Sequence, residues 1–460
     1  MRIHFDGGVD TVTGSRHRIV ANGHTLLRDC GLFQGRREEA AARNREFDFS
    51  PADIEALVLS HAHIDHCGNI PTLVRQGFRG PIHATSATAL LCDVMLQDAA
   101  RIQEQDAAYL NQKTNRQGLP RVEPLYTTAD AERAMRQFRG HAYGETVEVL
   151  PGIRMVFREA GHILGAALTA FELEEKGRTV RVGFAFDLGR RNLPLIRDPE
   201  GLPGMDALIL ESTYGGRRHA DAGLADAQLG EIIGRVIARR GKVFIPTFAL
   251  ERAQEIIYHL AALRQRGALP DVPVIVDSPM AYAVTKVFAK CRDYLDDEYR
   301  ALQAKAGSVM LPDWVTFTSS VEESKALTAL KEPAIVLAAS GMCEHGRILH
   351  HLKHGIENAA NAVLIVGYQA EYTLGRRLVE GQKKVKIFGD EFRRRAEVFV
   401  LNAFSAHADH DDLVAFVRAA RPGQVFLVHG EDKARAALSE ALAGEGVEVN
   451  CPAAGDQVEW

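Results

Sequence analysis

The chain has 460 residues, of which 46% are hydrophobic and 25% are charged, and its formal net charge at pH 7 is -5. These values are typical of a globular protein long enough for two or three domains, and the small acidic excess neither indicates nor excludes a nucleic-acid partner. The sequence has no apolar stretch near the roughly 20 residues that cross a bilayer, no apolar signal core at its N-terminus, and no Cys-x-x-Cys pair among its six cysteines. We therefore expect a soluble protein of the reducing cytoplasm.

The first 60 residues are rich in strand patterns and lead into a dense cluster of metal-binding side chains. An apolar run at 56–59 predicts a buried strand, and His61, His63, Asp65 and His66 follow it. Imidazole and carboxylate groups suit zinc and similar divalent ions. In an extended chain His61 and His63 point to the same side, with Cα atoms roughly 7 Å apart, so both reach one ion. Asp65 and His66 follow a turn and face a second position, so the spacing predicts a two-metal site.

Helix and strand patterns alternate after this cluster. The periodicity predicts a short helix over 70–76, a longer helix over 86–118, and a return to strands between 147 and 187. From about residue 206 to residue 386, short runs of continuous apolar character precede helical stretches. Continuous rather than alternating apolarity is typical of parallel strands covered on both faces, so this region is predicted to be a parallel α/β domain.

Strands that run into histidines return near the C-terminus. Apolar runs at 398–401 and 425–428 precede His407 and His429. The simplest topology is one metal-binding domain interrupted by a parallel α/β insertion. The predicted boundaries are 1–205 for the first part of the metal-binding domain, 206–390 for the insertion, and 391–460 for the second part.

Seven short motifs follow one another along the chain. They contain Asp29 in Leu27–Gly31, the cluster at 61–66, His162 in Gly161–Gly165, Asp187 in Phe186–Gly189, Glu211 in Glu211–Gly215, His407 in Phe404–Asp409, and His429 in Val428–Glu431. In this order they resemble the motifs of the metallo-β-lactamase superfamily and, within it, of the β-CASP nucleases. The resemblance covers nearly the whole chain. It implies an α/β protein in which a metallo-β-lactamase αββα sandwich is interrupted by a parallel β-CASP domain.

The resemblance implies a centre of two zinc ions. The expected ligands are His61, His63 and His162 for one ion, and Asp65, His66 and His429 for the other, with Asp187 bridging both and Asp29 in the outer shell. A water held between two such ions would lose a proton near neutral pH and attack a phosphodiester. The expected catalytic residues are Asp65, Glu211 and His407. We expect His407 to protonate the leaving oxygen, with Glu211 orienting it and favouring its protonated form.

The same resemblance favours RNA as the substrate. Family members that act on RNA carry histidine at the position of His429, whereas those that act on DNA usually carry valine. The segment 340–347 follows a predicted buried strand and resembles the Ser-Gly-Met loop of the family, so we expect Ser340, Gly341 and Arg347 to contact an RNA phosphate. Related bacterial enzymes are often dimers, which leaves a homodimer open. Endonuclease and 5′-exonuclease action are not separated by the sequence.

Two positions depart from the family pattern. Phe186 precedes the expected bridging aspartate where the family usually has glycine, and it either narrows the site or repacks the core. Glu251 also replaces a usual glycine and adds a negative charge where substrate is expected to approach. Two alternatives therefore stay open. One is a two-metal hydrolase of DNA or of another ester, and the other is a catalytically silent RNA-binding scaffold.

Basic residues occur in short runs, most of which we expect to be solvated. The runs are Arg36–Arg37, Arg190–Arg191, Arg217–Arg218, Lys383–Lys386 and Arg393–Arg395. Arg190–Arg191 directly follows the motif of Asp187, and we expect this run to follow RNA. Aromatic residues make up 7% of the chain and none clusters with these runs, so the sequence does not predict a base-stacking platform.

Overall fold

The structure is a computed structural model that describes residues 1–35, 37–114, 121–219, 225–401 and 404–460. In chain order, its strands are β1 (Arg2–Gly7), β2 (Arg16–Ala21), β3 (His24–Arg28), β4 (Ala56–Val58), β5 (Ile82–Thr85), β6 (Phe138–His141), β7 (Thr146–Leu150), β8 (Ile153–Glu159), β9 (Ala167–Glu175), β10 (Arg178–Ala185), β11 (Ala207–Glu211), β12 (Val243–Pro246), β13 (Val274–Asp277), β14 (Val315–Phe317), β15 (Ile335–Ala338), β16 (Ala362–Ile365), β17 (Lys384–Ile387), β18 (Asp390–Arg393), β19 (Glu397–Val400), β20 (Gln424–Val428), β21 (Glu448–Asn450) and β22 (Gln457–Glu459).

The α-helices of the described residues are numbered in the same way. They are α1 (Arg37–Arg45), α2 (Ile64–Cys67), α3 (Ile70–Arg75), α4 (Ser86–Thr114), α5 (Thr128–Met135), α6 (Ala225–Ala238), α7 (Arg252–Gln265), α8 (Pro279–Lys290), α9 (Asp297–Ala306), α10 (Val321–Thr328), α11 (Ile348–Gly355), α12 (Leu374–Val379), α13 (His410–Ala420) and α14 (Asp432–Ala443).

Two seven-stranded sheets form one compact unit, the sandwich unit, which comprises Met1–Arg191, Asp198–Arg218 and Ala406–Trp460. The first sheet has the order β22-β1-β2-β3-β4-β5-β6, and the second has the order β21-β20-β11-β10-β9-β8-β7. Apolar side chains from both sheets, including Ile19 and Phe171, pack into one core. Helix α4 contacts β5 and β6, and α14 contacts β20 and β21. The unit is therefore an αββα sandwich, which buries each sheet between the other sheet and a helix layer.

A parallel six-stranded sheet forms the second compact unit, the inserted unit, which comprises Asn192–Arg197 and His219–Ser405. Its order is β14-β13-β15-β12-β16-β19. Every residue of β12, β13, β15 and β16 is buried, which is why these strands read as continuous apolar runs. Helix α8 begins sharply because Ser278 caps it and Pro279 occupies its first position. Strands β17 and β18 form a separate antiparallel hairpin.

The division between the two units corrects the predicted boundaries at 205/206 and 390/391. The sequence prediction places β11 in the insertion, but β11 pairs in parallel with β10 and β20 and so belongs to the sandwich unit. The prediction places β19 in the second part of the metal-binding domain, but β19 pairs with β16 in the inserted unit. Both strands are short apolar runs, and such runs do not reveal which sheet they join.

The α/β fold class is confirmed, and the predicted helices differ from the observed ones mainly at their ends. The helix predicted over 70–76 is α3, and the helix predicted over 86–118 is α4, which is described as far as Thr114. Residues 115–118 of that prediction lie outside the described residues. Among the helices that the structure describes, none is both long and apolar enough to span a bilayer.

Candidate metal centre

Parallel strands bring several predicted site residues to one edge of each sheet in the sandwich unit. Strands β10, β11 and β20 are parallel, and Asp187, Glu211 and His429 lie at or shortly after their C-terminal ends. In the other sheet, β3 and β4 are parallel and end shortly before Asp29 and Ser60. Because the C-terminal ends of parallel strands share an edge, polar side chains far apart in sequence are gathered there.

Three histidines surround one carboxylate oxygen of Asp187. The Oδ2 atom of Asp187 lies 3.2 Å from His61 Nε2, 3.4 Å from His162 Nε2 and 4.0 Å from His63 Nδ1. His63 Nδ1 in turn lies 3.0 Å from His61 Nε2 and 3.2 Å from His162 Nε2. One donor atom from each of these four residues lies within 4.8 Å of the others. The four side chains form a first donor group around a single point.

A second donor group uses the other oxygen of Asp187. The Oδ1 atom lies 3.2 Å from His429 Nδ1 and 3.4 Å from His66 Nε2. Asp65 Oδ2 lies 3.6 Å from His429 Nε2 and 3.8 Å from His66 Nε2. These four residues also offer donor atoms within 4.8 Å of one another. Asp187 is thus common to both groups.

The spacing of these donor atoms fits a bound cation. Two ligand atoms of a tetrahedral zinc ion, each about 2.0–2.1 Å from the metal, lie roughly 3.3 Å apart. The 3.3 Å between the Nε2 atoms of His66 and His429 matches this spacing. The Oδ1 atom of Asp187 is buried and accepts no well-aligned hydrogen bond from the described residues. A buried carboxylate oxygen ringed by imidazole nitrogens is the donor arrangement that a metal ion requires. The residues present therefore fit a metal site.

Electrostatics at His61, His162 and Asp187 favour the protonation states that bind metal. Burial lowers the pKa of His61 to about 3 and holds the pKa of His162 well below its ordinary value, so both rings are neutral. Burial would raise the pKa of Asp187, but the nearby histidines, His429 first, outweigh it and keep the pKa well below its usual range. Neutral imidazole and ionised carboxylate are the forms that ligate a cation.

Asp29 orients one of the expected ligands. Its side chain is completely buried, its Oδ1 accepts the backbone N–H of Ser60, and its Oδ2 lies 2.7 Å from His66 Nδ1. Burial would raise the pKa of Asp29, but the adjacent guanidinium of Arg28 and the nearby rings of His66 and His61 together outweigh burial and lower it to about 2. An ionised Asp29 fixes the ring of His66 so that Nε2 faces the second donor group, as outer carboxylates do in metal sites.

Two hydroxyl side chains that sequence reasoning did not assign also contact the expected ligands. Ser60 Oγ donates to Asp29 and lies 2.9 Å from His61 Nδ1. Thr213 Oγ1 lies 3.3 Å from His429 Nδ1 and donates to the carbonyl of His429. A lone hydroxyl carries little sequence signal. Only the position of Ser60 directly before His61 could have indicated its role.

His407 and Glu211 form a pair beside the first donor group. His407 Nδ1 lies 3.2 and 3.3 Å from the two carboxylate oxygens of Glu211, which is completely buried. The ring centroid of His407 is 4.5 Å from that of His162. Burial would lower the pKa of His407, but Glu211, with the more distant carboxylates of Asp187 and Asp65, outweighs burial and raises it to about 9. The pair therefore places a protonated imidazole next to the expected metal ligands.

Backbone contacts around Gly189 hold the loops of His162 and His407 together. Gly189 pairs with His407 as an isolated antiparallel bridge, and its N–H donates to the carbonyl of Ala160 at 2.8 Å. A Cβ atom at Gly189 would lie 1.8 Å from the carbonyl oxygen of Gly161. Because a side chain at position 189 would collide with this backbone, only glycine is compatible with the observed approach of the two loops.

The departure at Phe186 is resolved in favour of core packing. Phe186 is 1% exposed and belongs to the core between the two sheets. Its ring centroid is 5.0 Å from that of His17 and 6.2 Å from that of His66, and the guanidinium of Arg28 lies 5.3 Å from it. Phe186 thus packs behind His66 as part of the core between the two sheets.

The predicted phosphate-binding residues lie in the inserted unit, in a loop that follows β15. Ser340 Oγ accepts a backbone N–H from within this loop. Arg347 Nη1 donates to Asp277 Oδ1 at 2.7 Å and to Thr318 Oγ1 at 2.9 Å. Asp277 is completely buried at the end of β13, so Arg347 anchors the loop to that strand. A guanidinium has five N–H donors, and the remaining ones are left for other contacts.

The other sequence predictions have simpler outcomes. Glu251, the second departure, is 8% exposed and directly precedes α7, so its charge is largely turned away from solvent. Arg190 is half-buried and Arg191 is exposed. Arg36 and the side chain of Arg37 lie outside the described residues.

Comparison with known proteins agrees with this geometry. Residues 18–144 match the model of the metallo-β-lactamase superfamily, residues 253–378 match the Beta-Casp domain, and residues 391–452 match the Zn-dependent metallo-hydrolase RNA specificity domain. A ribonuclease from Thermus thermophilus is 38% identical over 458 residues, which cover 100% of each chain. This chain belongs to the β-CASP family of the metallo-β-lactamase superfamily. The membership expected from the motifs is confirmed.

More distant relatives of this β-CASP chain include archaeal proteins. The transcription termination factors FttA of Methanocaldococcus jannaschii and Methanosarcina mazei are 29% and 28% identical to it. The matches cover 94% and 96% of this chain and 67% and 69% of those proteins. A crystal structure of a protein of unknown function from Enterococcus faecalis V583 covers 99% of both chains with a TM-score of 0.59 and 14% identity. That likeness concerns the fold alone.

Proposed function

We propose that this β-CASP chain is a metal-dependent ribonuclease that hydrolyses phosphodiester bonds in RNA. The observation that carries the proposal is the pair of donor groups sharing Asp187, with the pair of His407 and Glu211 beside them. The ribonuclease name of the Thermus thermophilus relative and the RNA specificity domain matched near the C-terminus support RNA as the substrate. The six cysteines are all unpaired, which is compatible with the cytoplasm, where we place the protein.

We assign two zinc ions to the donor groups. His61, His63 and His162 would hold one ion, Asp65, His66 and His429 would hold the other, and Asp187 would contribute a carboxylate oxygen to each. Imidazole and carboxylate ligands suit zinc, and a zinc-dependent domain model matches the chain. When bound, a pair of such ions lowers the pKa of an attacking water and stabilises the charge that develops on the phosphoryl oxygens.

Side chains of the protein are assigned to the two proton transfers, to the leaving oxygen and from the attacking water. Glu211 holds Nδ1 of His407, which leaves Nε2 of His407 to donate a proton to the leaving oxygen. The negative charge of Glu211 stabilises the imidazolium before the transfer and keeps the ring oriented afterwards. Asp65 is 21% exposed at its side chain, so one carboxylate oxygen is available to accept the proton of the attacking water.

We assign substrate contacts to the loop of the inserted unit. Ser340, Gly341 and Arg347 follow a buried parallel strand, at the strand edge where ligands of α/β sheets bind. The hydroxyl of Ser340, the backbone of Gly341 and the remaining N–H donors of the Arg347 guanidinium are groups of the kind that bind phosphate. Because Arg347 is fixed by Asp277, these donors are held in place before RNA binds.

The test is incubation of zinc-loaded protein with single-stranded RNA labelled at either end, beside DNA of matched sequence. We expect the RNA to be cut faster than the DNA. His63→Ala should abolish cleavage, whereas His24→Ala should not, since His24 contacts Glu55 at the surface. Failure of the wild type to cut RNA above the His63→Ala background would overturn the proposal, and faster cleavage of DNA would overturn the RNA assignment. The products from the two labels separate endonuclease from 5′-exonuclease action.

A further inference from the structure

Three aromatic side chains on the inserted unit are exposed to solvent. Tyr372 is 85% exposed, Tyr368 is 60% exposed and Phe248 is 45% exposed. Aromatic rings of this size contribute most of their stabilising energy when they are buried. Leaving these rings in water is therefore unfavourable for folding and calls for another role.

Phe248 and the segment 368–375 both adjoin the same short loop segment, residues 341–344. The ring of Phe248 lies 2.9 Å from where a Cβ atom at Gly341 would stand. Tyr368 precedes Gln369, whose amide donates to the carbonyl of Gly341 at 3.0 Å. Tyr372 lies three residues before Gly375, whose N–H donates to the carbonyl of Met342 at 3.1 Å. We call Phe248, Tyr368 and Tyr372 the aromatic cluster.

The backbone of Tyr372 adds a second sign of function. Its φ angle is +69°, in the left-handed region that is unfavourable for a bulky residue. Tyr372 is also the most exposed residue of the cluster, so burial of its ring does not offset the cost of this backbone conformation. Strain of this kind occurs where a side chain must be presented to a ligand.

Charges around the cluster nearly cancel. Arg376 is paired with Glu380 at 2.7 Å, and Arg377 donates at 3.4 Å to the carbonyl of Tyr372. The acidic residue Glu371 lies in the same segment. Such a surface offers little net attraction to a phosphate backbone, which binds through excess positive charge. It is better suited to the flat, uncharged face of a nucleobase.

We propose that the aromatic cluster is a stacking site for unpaired bases of the RNA substrate. The proposal rests on the ribonuclease function proposed above and adds the part of the RNA that this surface recognises. Tyr and Phe rings stack on any base, so the site favours single-stranded over paired RNA without reading its sequence. The adjacent loop that contains Ser340 and Gly341 would hold a phosphate of the same strand.

The test compares kcat/KM on a single-stranded oligouridylate with kcat/KM on methyl p-nitrophenyl phosphate, using zinc-loaded protein. Tyr372→Ala and Tyr368→Ala should each lower the RNA value about tenfold and leave the small ester unchanged. Tyr372→Phe should retain the wild-type value, because stacking needs the ring and not the hydroxyl. Tyr109→Ala is the matched control, since Tyr109 is 66% exposed on α4 of the other unit.

Two further readouts identify what the rings contact. An abasic ribose phosphate oligomer should inhibit the wild type and Tyr372→Ala equally. The slope of log kcat/KM for RNA against log salt should be the same in both, because the lost contact is not to phosphate. A changed slope, or loss of inhibition by the abasic oligomer, would show that the cluster binds the backbone and would overturn the proposal.

Other outcomes also distinguish the alternatives. If Tyr372→Ala and Tyr368→Ala keep the wild-type value on RNA, the stacking site is wrong while the ribonuclease function stands. If these variants alter the oligomeric state in light scattering without altering RNA kinetics, the rings form a contact between copies of the chain. If the wild type itself cuts no RNA, the proposed function has failed instead.

Discussion

Replacing His407 with alanine removes the proposed general acid and leaves every expected metal ligand in place. General acid catalysis by a positioned side chain contributes about 10²–10⁴-fold to a rate, so kcat on RNA should fall by that factor. The structure favours a large value within this range, because Glu211 is completely buried and lies 3.2 Å from His407 Nδ1. A ring held this firmly needs little reorganisation before it donates a proton.

The assay compares two leaving groups. An RNA 3′-oxygen needs a proton when it departs, whereas p-nitrophenolate is stable as an anion. His407→Ala should therefore be severely impaired on RNA but close to wild type on methyl p-nitrophenyl phosphate. Metal content measured on the same samples should be unchanged. Equal losses on the two substrates, with full metal content, would refute the role of His407 as a general acid.

Glu211→Gln tests whether the negative charge of Glu211 raises the pKa of His407. Burial would lower the pKa of His407, but the charge and hydrogen bond of Glu211, with the charges of Asp187 and Asp65, raise it to about 9. His407 is protonated, and can act as an acid, below its pKa, and it loses the proton as pH rises through that value. Removing the charge of Glu211 should lower the pKa of His407, so the alkaline limb of the rate profile should move to lower pH. Bound cations lower both pKa values, so the shift between the two profiles is the quantity to measure. An unshifted alkaline limb would contradict this role of Glu211.

Three further predictions concern the metal ligands, the inserted unit and the core. His63→Ala should lose both bound zinc and RNA cleavage. Zinc content is measured by inorganic mass spectrometry of the purified protein. Asp277→Ala should lower the free energy of unfolding in urea by about 3–5 kcal/mol, because it leaves Arg347 without its carboxylate partner. Hydrogen bonds from His351 and other donors outweigh burial and lower the pKa of Asp277 below its ordinary 3.8, so this stability is present above about pH 4 and lost as pH falls. Phe186→Ala should cost about 3–5 kcal/mol in the same measurement by creating a core cavity.

Each of these predictions has a result that contradicts it. His63→Ala with full zinc content would remove this residue from the ligand set. For Asp277→Ala, a free energy of unfolding equal to that of the wild type at pH 7 would show that the ion pair of Asp277 and Arg347 contributes nothing. If Phe186→Ala changed kcat/KM on RNA while stability stayed the same, Phe186 would shape the substrate path and not the core.

The strongest sequence predictions rest on dense local spacing. His61, His63, Asp65 and His66 occupy six consecutive positions, and strand geometry alone sends the first two toward one point. His162 and His429 lie in separate motifs, and only the family resemblance connected them to the cluster. Their distances to Asp187 depend on which strands are neighbours, and that arrangement is not encoded in any short stretch.

Sheet membership and surface exposure were harder to predict. Strands β11 and β19 have the apolar character of their neighbours. The sequence therefore did not show that β11 belongs to the sandwich unit and β19 to the inserted unit. Tyr368 and Tyr372 lie far in sequence from Phe248, and an aromatic residue in an apolar segment is usually buried. Their joint exposure around one loop is a tertiary property. The same is true of Thr213, whose contact with His429 joins two strand ends.

The central claim is that Asp187 joins two metal-binding groups into one centre. The most direct test is the metal content per chain, measured after gel filtration in a metal-free buffer, for the wild type and for Asp187→Ala. We expect two zinc ions in the wild type and fewer than one in Asp187→Ala, with both proteins folded by circular dichroism. A wild type that holds a single ion, or an Asp187→Ala variant that retains two, would contradict it.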